Sequence, residues 1–392
     1  MKTLVELFDL ENTVDNILAS HIFRPERVVF LTDERSECIT RIWEIERALT
    51  KKYPKMRFTI QPLNTSRNVN EVCERLLATY PDPVFDLTGG NDAISFAIIQ
   101  LCNRRFRPCF CIDWQEGIIL CSEAAEDYRN DFEMPNLSLE DLLGANGATI
   151  FRKMHATPPE PRHDAILEFF QETLRRPKEW LMFCRFLQQA AAEASRKRHP
   201  TVIQCRQSIS DPNGRVSQFR PEFAQLAYRL GFLKNLEINP RQVYMKFADE
   251  TSLRYLTSQG TWLELYSYIM CKRTGWFHEC QMSVVIDWDG IPQRKDNVVN
   301  EIDVMLMRGI TPIFISCKTS VPTTESLNEI ELYAKKLGGA GAKSMLVTTA
   351  SLDDAPTVRV RAKELDLILV ERKDLLKEEG ILPFLRKAGN IV

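Results

Sequence analysis

The sequence predicts an α/β protein with three parts: an N-terminal domain around a mostly parallel sheet, a helical middle segment, and a C-terminal α/β domain around a mixed sheet. Two observations support this fold class. Apolar runs of strand length alternate with stretches of helical spacing between residues 27 and 121, and again after residue 260. The stretch between these regions has mainly helical spacing. We therefore place the three parts at residues 1–155, 156–245 and 246–392.

The N-terminal domain alternates strands and helices. Its first predicted strand is Arg27–Thr32, and apolar residues at helical spacing follow it. Further strands are predicted at residues 57–61, 83–86, 108–113 and 117–121, with helices at about 38–49, at about 69–78 and from 93 onward. Apolar strands separated by helices are typical of a parallel sheet that is covered on both faces.

Two loops of this domain are candidates for binding a ligand. In open α/β sheets, ligands bind beyond the carboxyl ends of the strands, where loops lead into helices. Thr32 and Asp33 end the first predicted strand, and Thr88-Gly89-Gly90-Asn91 connects a later strand to its helix. Two glycines let backbone N–H groups approach a phosphate or carboxylate, and a helix N-terminus favours anions. Thr-Gly-Gly is also an ordinary turn, and the sequence has no GxGxxG or Walker A pattern.

The middle segment carries an excess of positive charge. Residues 156–245 hold 14 basic and 9 acidic side chains, against 18 and 24 in residues 1–155 and 19 and 20 in residues 246–392. Nucleic acids bind local patches rather than the net charge of a chain. The cluster Arg196-Lys197-Arg198 is therefore a candidate for DNA contact, with an ordinary helix end as the alternative.

The C-terminal domain is predicted to run helix, three strands, helix, strand, helix, strand. Its first helix follows Gly260 and contains the acid Glu264 beside an apolar inward face. The second and third strands are Asn300–Val304 and Ile313–Thr319, joined by a turn around Gly309. The remaining strands are predicted at residues 282–288, 343–349 and 366–370, and the remaining helices at about 325–337 and 355–364.

Polar side chains alternate along the second and third of these strands. Because successive strand side chains point to opposite faces, Glu301 and Asp303 share a face of one strand, and Ser316 and Lys318 share a face of the next. Carboxylates suit Mg²⁺ or Mn²⁺, and a lysine can stabilise charge that develops on a phosphate. The strand pair is thus a candidate phosphodiesterase site. An ordinary cross-strand ion pair between Asp303 and Lys318 is the alternative.

These residues have the pattern of a known combination of domains. Glu264, Asn300-Glu-Ile-Asp303 and Ile315-Ser-Cys-Lys318 resemble the PD-(D/E)xK restriction-endonuclease-like domain, which carries an acid on its first helix, an acid on a strand and a lysine on the next strand. Leu31-Thr-Asp33 and Asp86-Leu-Thr-Gly-Gly90 resemble the Rossmann-like CARF domain, a sensor of cyclic oligoadenylates. The combination, over about residues 25–150 and 255–392, is similar to the CRISPR ancillary nucleases of type III systems.

The resemblance implies a metal-dependent endonuclease of antiviral defence. By analogy, Glu264, Asp303, Ser316 and Lys318 would be the catalytic residues. Glu264, Glu301 and Asp303 would bind Mn²⁺ or Mg²⁺. The substrates would be single-stranded RNA or DNA, or duplex DNA that is nicked.

The resemblance also implies allosteric activation. Cyclic tetra-adenylate would bind across a homodimer at Thr32, Asp33 and the loop Thr88–Asn91, whose members include Gly89 and Gly90. The sequence departs from the family here, because the Thr-Gly-Gly turn is often followed by Thr-Lys and this chain has Asn91-Asp92. An acid beside a ligand with several phosphates must point away from it.

A second departure lies in the nuclease pattern. The family usually has Glu or Asp two residues before the lysine, and here Ser316 occupies that place. A serine hydroxyl is a poor metal ligand, so another carboxylate would have to complete the metal's coordination. The candidates are Glu301 on the neighbouring strand and Glu329 and Glu331 on the following helix.

Composition and the departures leave two rivals to this interpretation. One is a cyclic-nucleotide-sensing regulator whose nuclease-like domain is catalytically inactive, and the other is a ligand-controlled transcription factor that binds DNA through the middle segment.

The 11 cysteines are scattered without a CxxC pair, which is typical of reduced thiols in the cytosol. We expect a cytoplasmic protein, since the first residues lack a signal peptide's apolar core and no apolar run is long enough to span a membrane.

Overall fold

The computed structural model describes residues 1–63, 68–114, 116–130, 132–153, 157–194, 201–210, 214–288 and 299–391. The chain divides into two compact units. The first unit comprises residues 1–154, 276–314 and 329–344, and the second comprises residues 155–275, 315–328 and 345–392. The predicted basic cluster Arg196–Arg198 lies outside the described residues.

A six-stranded sheet forms the N-terminal part of the first unit. Its strands are β1 (Thr3–Leu7), β2 (Arg27–Thr32), β3 (Arg57–Pro62), β4 (Pro83–Asp86), β5 (Cys109–Asp113) and β6 (Ile118–Cys121). The helices between them are α1 (Asp15–Phe23), α2 (Ser36–Lys52), α3 (Val69–Thr79) and α4 (Asp92–Arg105). The strand order is β3-β2-β1-β4-β5-β6, and all neighbours are parallel except β5 and β6. The predicted mostly parallel sheet is confirmed.

Strand β1 is the one strand of this sheet that the sequence analysis does not identify. It lies between β2 and β4, and all five of its residues are buried. The order of β1 and β4 reverses the direction in which the sheet is built, so the carboxyl ends of these two strands form a topological switch point. Ligands bind at such points in open α/β sheets, and the loop after β1 therefore belongs to the candidate binding edge.

The first unit continues with α5 (Glu126–Asn130), α6 (Leu139–Ala145) and β7 (Thr149–Lys153). Ser138 caps α6 and forms a capping box with Asp141, which satisfies N–H groups at the helix start. Strand β7 is the last element before the middle segment. It pairs with a strand of the C-terminal domain, as described below.

The middle segment, in the second unit, is helical as predicted and also contains two small sheets. Its helices are α7 (His163–Arg175), α8 (Pro177–Ala194) and α9 (Pro221–Arg229), and its strands are β8 (Val202–Arg206), β9 (Ser208–Ser210), β10 (Val216–Gln218), β11 (Leu233–Ile238) and β12 (Gln242–Phe247). Strands β8, β11 and β12 form an antiparallel sheet in the order β11-β12-β8. Aromatic side chains hold the segment together, and the rings of Phe183 and Phe223 stack with their centres 5.9 Å apart.

Helices α10 (Glu250–Thr257) and α11 (Thr261–Thr274) follow in the second unit. Next come β13 (Glu279–Asp287), β14 (Val299–Arg308) and β15 (Thr311–Lys318). In the first unit β13 is antiparallel to both β7 and β14. Gly309, with a φ of +59°, forms the tight connection between β14 and β15.

The chain ends with α12 (Thr324–Gly338), β16 (Lys343–Thr348), α13 (Pro356–Glu364), β17 (Ile368–Val370), α14 (Arg372–Leu375) and α15 (Leu382–Ala388). In the second unit, β16 is parallel to β17. The element order from α11 to β17 is the predicted helix, three strands, helix, strand, helix, strand, and the mixed sheet is confirmed. No helix in the described residues is long and apolar enough to span a membrane.

Candidate functional site

The predicted ligand-binding residues line two cavities at the carboxyl edge of the N-terminal sheet. One cavity has a volume of about 670 Å³ and is lined by Thr32, Asp33, Gly90 and Asn91 among others. The second has a volume of about 620 Å³, and the residues that line it include Thr88, Gly89 and Gly90. Asp9 and Gly90 line both cavities, so the structure brings the two predicted loops together at the end of β1.

Backbone geometry requires both glycines of the second loop. Gly90 has a φ of +89°, and a Cβ there would lie 2.5 Å from the Leu7 side chain. A Cβ on Gly89 would lie 2.8 Å from Cβ of Asp9. A side chain at either position would force the loop away from β1. The glycines thus allow close packing against the loop that follows β1.

The polar groups of this loop are engaged within the protein. The Thr88 hydroxyl donates to the Asp86 carboxylate and accepts the N–H of Ile112 at 3.0 Å. Asn91 caps α4, since its side-chain oxygen accepts the N–H groups of Ala93 and Ile94 at 3.0 and 3.3 Å. Thr88 and Asn91 therefore shape the loop through bonds within the protein, and their direct contact with a ligand stays a prediction.

Asp9 is a site residue that the sequence analysis does not identify. Its carboxylate accepts N–H groups of Gly90 (3.2 Å), Glu11 (2.8 Å) and Asn12 (3.1 Å), together with the Asn12 side-chain amide (3.3 Å). Burial opposes the charge of this carboxylate, but the N–H donors outweigh it and hold the pKa of Asp9 below its ordinary value. The Asp- and Asn-rich run after β1 could have indicated this loop, had β1 been identified as a strand.

Three further acids lie at this edge of the sheet, and one of them, Asp15, lines the smaller cavity. Glu6 and Asp86 are fully buried, and Asp15 at the start of α1 is nearly so. Burial raises the pKa of Asp86 to about 7, and burial together with the charges of Asp9 and Asp86 raises the pKa of Asp15 to about 7. Burial and then the nearby Asp86 raise the pKa of Glu6 well above its ordinary value. These three carboxyl groups therefore carry less negative charge near neutral pH than three fully ionised acids would.

Arg35 brings a positive charge to the larger cavity. Its Nε atom lies 2.8 Å from Oδ2 of Asp33, and this ion pair orients both side chains beside Thr32. The guanidinium is well suited to phosphate, because its donors form a planar fork. Asp92 begins α4 and lines the smaller cavity.

The predicted nuclease residues are divided between the two units. Glu301 and Asp303 lie in the first unit on β14, where Glu301 is exposed, Asp303 is half-buried and the intervening Ile302 is buried. This alternation places the two carboxylates on one face of the strand, as the sequence predicts. The first unit therefore presents both acids on the less buried half of β14.

Glu264, Ser316 and Lys318 lie in the second unit. Glu264 is a half-buried acid on α11, whose other residues from 261 to 269 are buried. Ser316 is buried and Lys318 half-buried on β15, and they alternate with Cys317, whose sulfur lies 3.5 Å from the Ser267 hydroxyl on α11. Strand alternation therefore directs Ser316 and Lys318 to the face opposite the one that meets Ser267.

The helix α12 carries the two acids that could replace the one expected at Ser316. Glu331 accepts the Ser344 hydroxyl at 2.8 Å and lies 3.3 Å from the Lys335 amine, which holds it against β16. Glu329 accepts the Tyr333 hydroxyl instead. Burial, and then this contact with Glu329, raises the pKa of Tyr333.

Glu329 belongs to a network that reaches the start of β14. The ring of Tyr333 lies 5.5 Å from that of Trp288, centre to centre, and the Trp288 indole donates to Oδ1 of Asn300 at 2.7 Å. Asn300 directly precedes Glu301 in β14. Of the two candidate acids Glu329 and Glu331, Glu329 is therefore the one linked to the strand that carries Glu301 and Asp303.

The types of side chain at the predicted positions suit a hard divalent cation, although the described part of the chain shows no complete set of ligands for one. Glu264, Glu301 and Asp303 offer carboxylate oxygens, which Mg²⁺ and Mn²⁺ prefer. Within the described ranges, no three His, Cys, Asp or Glu side chains are grouped so as to hold a metal ion together. Mg²⁺ commonly binds to one or two carboxylates and keeps several waters, and the residues fit this mode.

Comparisons with known proteins address the C-terminal domain and the whole fold separately. Residues 249–381 match the family model of the Card1-like endonuclease domain. No curated protein matches the sequence. Among solved structures, protein VC1899 from Vibrio cholerae is similar over 99% of this chain and 98% of its own, with a TM-score of 0.72 and 15% identity.

A second similar structure is that of Can2 from Sulfobacillus thermosulfidooxidans in complex with cyclic tetra-adenylate. It covers 100% of both chains, with a TM-score of 0.68 and 17% identity. At such identities the two structures establish the fold. The chain therefore has the fold of Can2 over its whole length, and its residues 249–381 match the model of the Card1-like endonuclease domain.

Proposed function

We propose that this protein is a metal-dependent endonuclease of CRISPR antiviral defence, activated by a cyclic oligoadenylate. The observation that carries the proposal is the match of residues 249–381 to the Card1-like endonuclease domain, in a chain whose full length has the fold of Can2. The substrate is single-stranded RNA or DNA, or duplex DNA that is nicked.

Cyclic tetra-adenylate is the proposed activator, and it binds at the carboxyl edge of the N-terminal sheet. The two cavities that meet at Asp9 and Gly90 support this position, and together they offer room for a ligand of several nucleotides. Arg35 contributes a positive charge for a phosphate, and the buried acids behind the loop are partly neutral near pH 7. The bound cyclic tetra-adenylate of Can2 is consistent with a ligand of this class.

A homodimer is the proposed active form. A cyclic ligand with two-fold symmetry suits a site that two copies share. Phe96 and Ile99 on α4 are 63% and 40% exposed, and Leu120 on β6 is 52% exposed. Ile99 and Leu120 also line the smaller cavity, so a second copy that covers this apolar surface would enclose the ligand.

In the nuclease domain, we assign the metal to Glu264, Glu301 and Asp303. A bound Mg²⁺ or Mn²⁺ would lower the pKa of a water and neutralise phosphate charge. Lys318 would orient the attacking water and stabilise the negative charge of the pentavalent phosphorus. The Ser316 hydroxyl would donate a hydrogen bond at the place where relatives have an acid. Glu329 is the proposed additional carboxylate.

The test is cleavage of labelled single-stranded RNA, single-stranded DNA and supercoiled plasmid, with and without cyclic tetra-adenylate and with Mn²⁺, Mg²⁺ or a chelator. We expect cleavage only when activator and metal are both present. Asp303→Ala and Lys318→Ala should abolish it while cyclic tetra-adenylate still binds. Cleavage that persists without metal, or in both variants, would overturn the assignment of the active site.

The second candidate function is a sensor whose nuclease-like domain is inactive. Two observations favour it: Ser316 replaces the expected acid, and the described residues contain no group of three metal-binding side chains. This candidate predicts binding of cyclic tetra-adenylate without cleavage of any of the three substrates under either metal. The same experiment thus separates the two functions.

A further inference from the structure

The turn at the end of α12 packs against residues of the N-terminal domain. We call residues Leu337–Gly341 the helix-end turn. The Asn146 side-chain amide donates to the Leu337 carbonyl at 2.9 Å, and Asn146 in turn accepts the Thr13 hydroxyl at 3.0 Å. These bonds are buried, so they fix the turn firmly to the loop after β1.

Two glycines of the helix-end turn allow this close approach. Gly339 has a φ of +60°, and a Cβ there would lie 2.7 Å from Oδ1 of Asn12. A Cβ on Gly341 would lie 2.5 Å from the Trp114 ring. Any side chain at these positions would push the turn away from Asn12 or Trp114.

Asn12 is also held by Asp9, which lines both cavities. Its backbone N–H and its side-chain amide both donate to the Asp9 carboxylate, at 3.1 and 3.3 Å. The same carboxylate accepts the N–H of Gly90 at 3.2 Å. A phosphate oxygen of the ligand that accepts the Gly90 N–H would compete with Asp9 for it, and Asp9 would then change its hold on Asn12.

At its other side, the helix-end turn connects to the network of the nuclease domain. Glu329 lies nine residues before Gly338, the last residue of α12, which is about 14 Å along a straight helix, and Gly339 follows directly. A helix transmits a displacement of its end along its length, because its packed side chains move with it. The contacts of Glu329 with Tyr333, and of the Tyr333 ring with Trp288, would therefore respond to a shift of the turn.

We propose that Asn12 is a positioning residue that couples the ligand cavity to Glu329 through its contact with Gly339. Ligand binding at Gly90 rearranges Asp9, and the position of Asn12 changes with it. The helix-end turn then shifts α12. This coupling rests on the proposed function, since it requires an activator at the Gly90 loop. It assigns the transmission of the signal to a single packed contact.

The test compares Asn12→Ala and Gly339→Ala with Gly231→Ala. Gly231 is the matched control, because it also has a positive φ, of +77°, but has open space where a Cβ would be added. We expect all three variants to bind cyclic tetra-adenylate within about threefold of wild type. Asn12→Ala and Gly339→Ala should lose at least tenfold in activator-stimulated cleavage, and Gly231→Ala should keep its stimulation.

Hydrogen exchange of residues 329–341 supplies a readout that does not depend on cleavage. Cyclic tetra-adenylate should change exchange in this segment of wild type and Gly231→Ala, and leave it unchanged in the other two variants. The double variant should behave like either single one, since both remove the same contact.

Normal exchange changes and normal stimulation in Asn12→Ala would overturn the coupling. A wild type that binds ligand but never cleaves would refute the nuclease while exchange still decides the coupling. A wild type that fails to bind ligand would refute both.

Discussion

Glu6 and Asp86 are directly paired in the register of the parallel strands β1 and β4, and both side chains are fully buried. Burial favours the protonated form of both carboxyl groups, and the charge of Asp86 further raises the pKa of Glu6. The pKa of Asp86 and that of the neighbouring Asp15 are both raised to about 7. The pair is therefore partly protonated near neutral pH, at the switch point of the sheet.

This pair predicts that the protein loses stability as pH rises. An acid with a raised pKa in the folded state stabilises the fold below its unfolded pKa, and this contribution is lost as pH rises through the folded pKa. His21, whose pKa burial lowers to about 4, acts in the opposite direction only below about pH 6.5. Between about pH 6.5 and 8.5 we therefore expect the free energy of unfolding to fall by on the order of 1 kcal/mol or more.

The measurement is thermal unfolding across that pH range for wild type and Glu6→Gln. Because the substitution removes one buried acid whose pKa is raised in the folded protein, the variant should lose less stability on the alkaline side. Glu11→Gln, at an exposed acid of the adjacent loop, is the control and should follow wild type. Equal pH dependence in Glu6→Gln and wild type would show that the pair does not titrate in this range.

Thr88 gives a second prediction, because its hydroxyl is bonded inside the protein. Thr88→Val leaves the N–H of Ile112 without its acceptor and removes one of two donors to Oδ1 of Asp86, which keeps the Thr88 N–H. We expect a melting temperature about 2 to 6 °C lower, from a loss of roughly 1 to 3 kcal/mol. Thr88→Ser keeps the hydroxyl and should melt near wild type. If Thr88→Val melts normally but fails to bind cyclic tetra-adenylate, the hydroxyl contacts the ligand and the structural role is wrong.

The two candidate acids of α12, Glu329 and Glu331, give a third prediction. Glu329 is linked through Tyr333 and Trp288 to β14, whereas Glu331 is held by Ser344 and Lys335. Glu329→Gln should lower activator-stimulated cleavage at least tenfold, because it removes the carboxylate that we propose completes the metal's coordination. Glu331→Gln should stay within about threefold. Initial cleavage rates at saturating Mn²⁺ decide between them, and a larger loss in Glu331→Gln at equal melting temperature would reverse the assignment.

The exposed apolar surface of α4 gives a fourth prediction. Phe96→Glu places a charge on the surface that we assign to the second copy, so it should convert a dimer to a monomer and weaken activator binding at least tenfold. Trp43→Glu is the control, since Trp43 is 60% exposed on α2. Sedimentation velocity reads the mass of each variant directly. A Phe96→Glu protein that stays dimeric would place the interface elsewhere.

The sequence was sufficient to predict most of the fold, and the exception has a physical cause. The apolar residues of β2, β4 and β5 are not interrupted by a charged residue, and the alternation from α11 to β17 is regular. Strand β1 was missed because the charged residue Glu6 interrupts its apolar residues. A charged residue normally argues against a central buried strand, and here its pKa is raised so that it can be buried.

The candidate site was predictable as a set of residue types but not as a set of contacts. Thr32 ends one predicted strand and Gly89 and Gly90 follow another, and the structure places them at one edge of the sheet. No spacing rule indicates that Thr88 would be bonded to Asp86, or that Asp9 would hold Gly90. Both contacts depend on β1 lying beside β4, and that neighbourhood is a property of the tertiary fold.

Strand β7 has a consequence for how this protein can be divided. It precedes the middle segment in the chain, yet it pairs with β13 from Val284 to Asp287, far later in the sequence. A fragment that starts at residue 246 would therefore expose the edge of β13 to other chains, and open sheet edges promote aggregation. Expressing the nuclease domain alone should require residues 149–153 to be fused or supplied as a peptide, or β13 to be given charged residues along that edge.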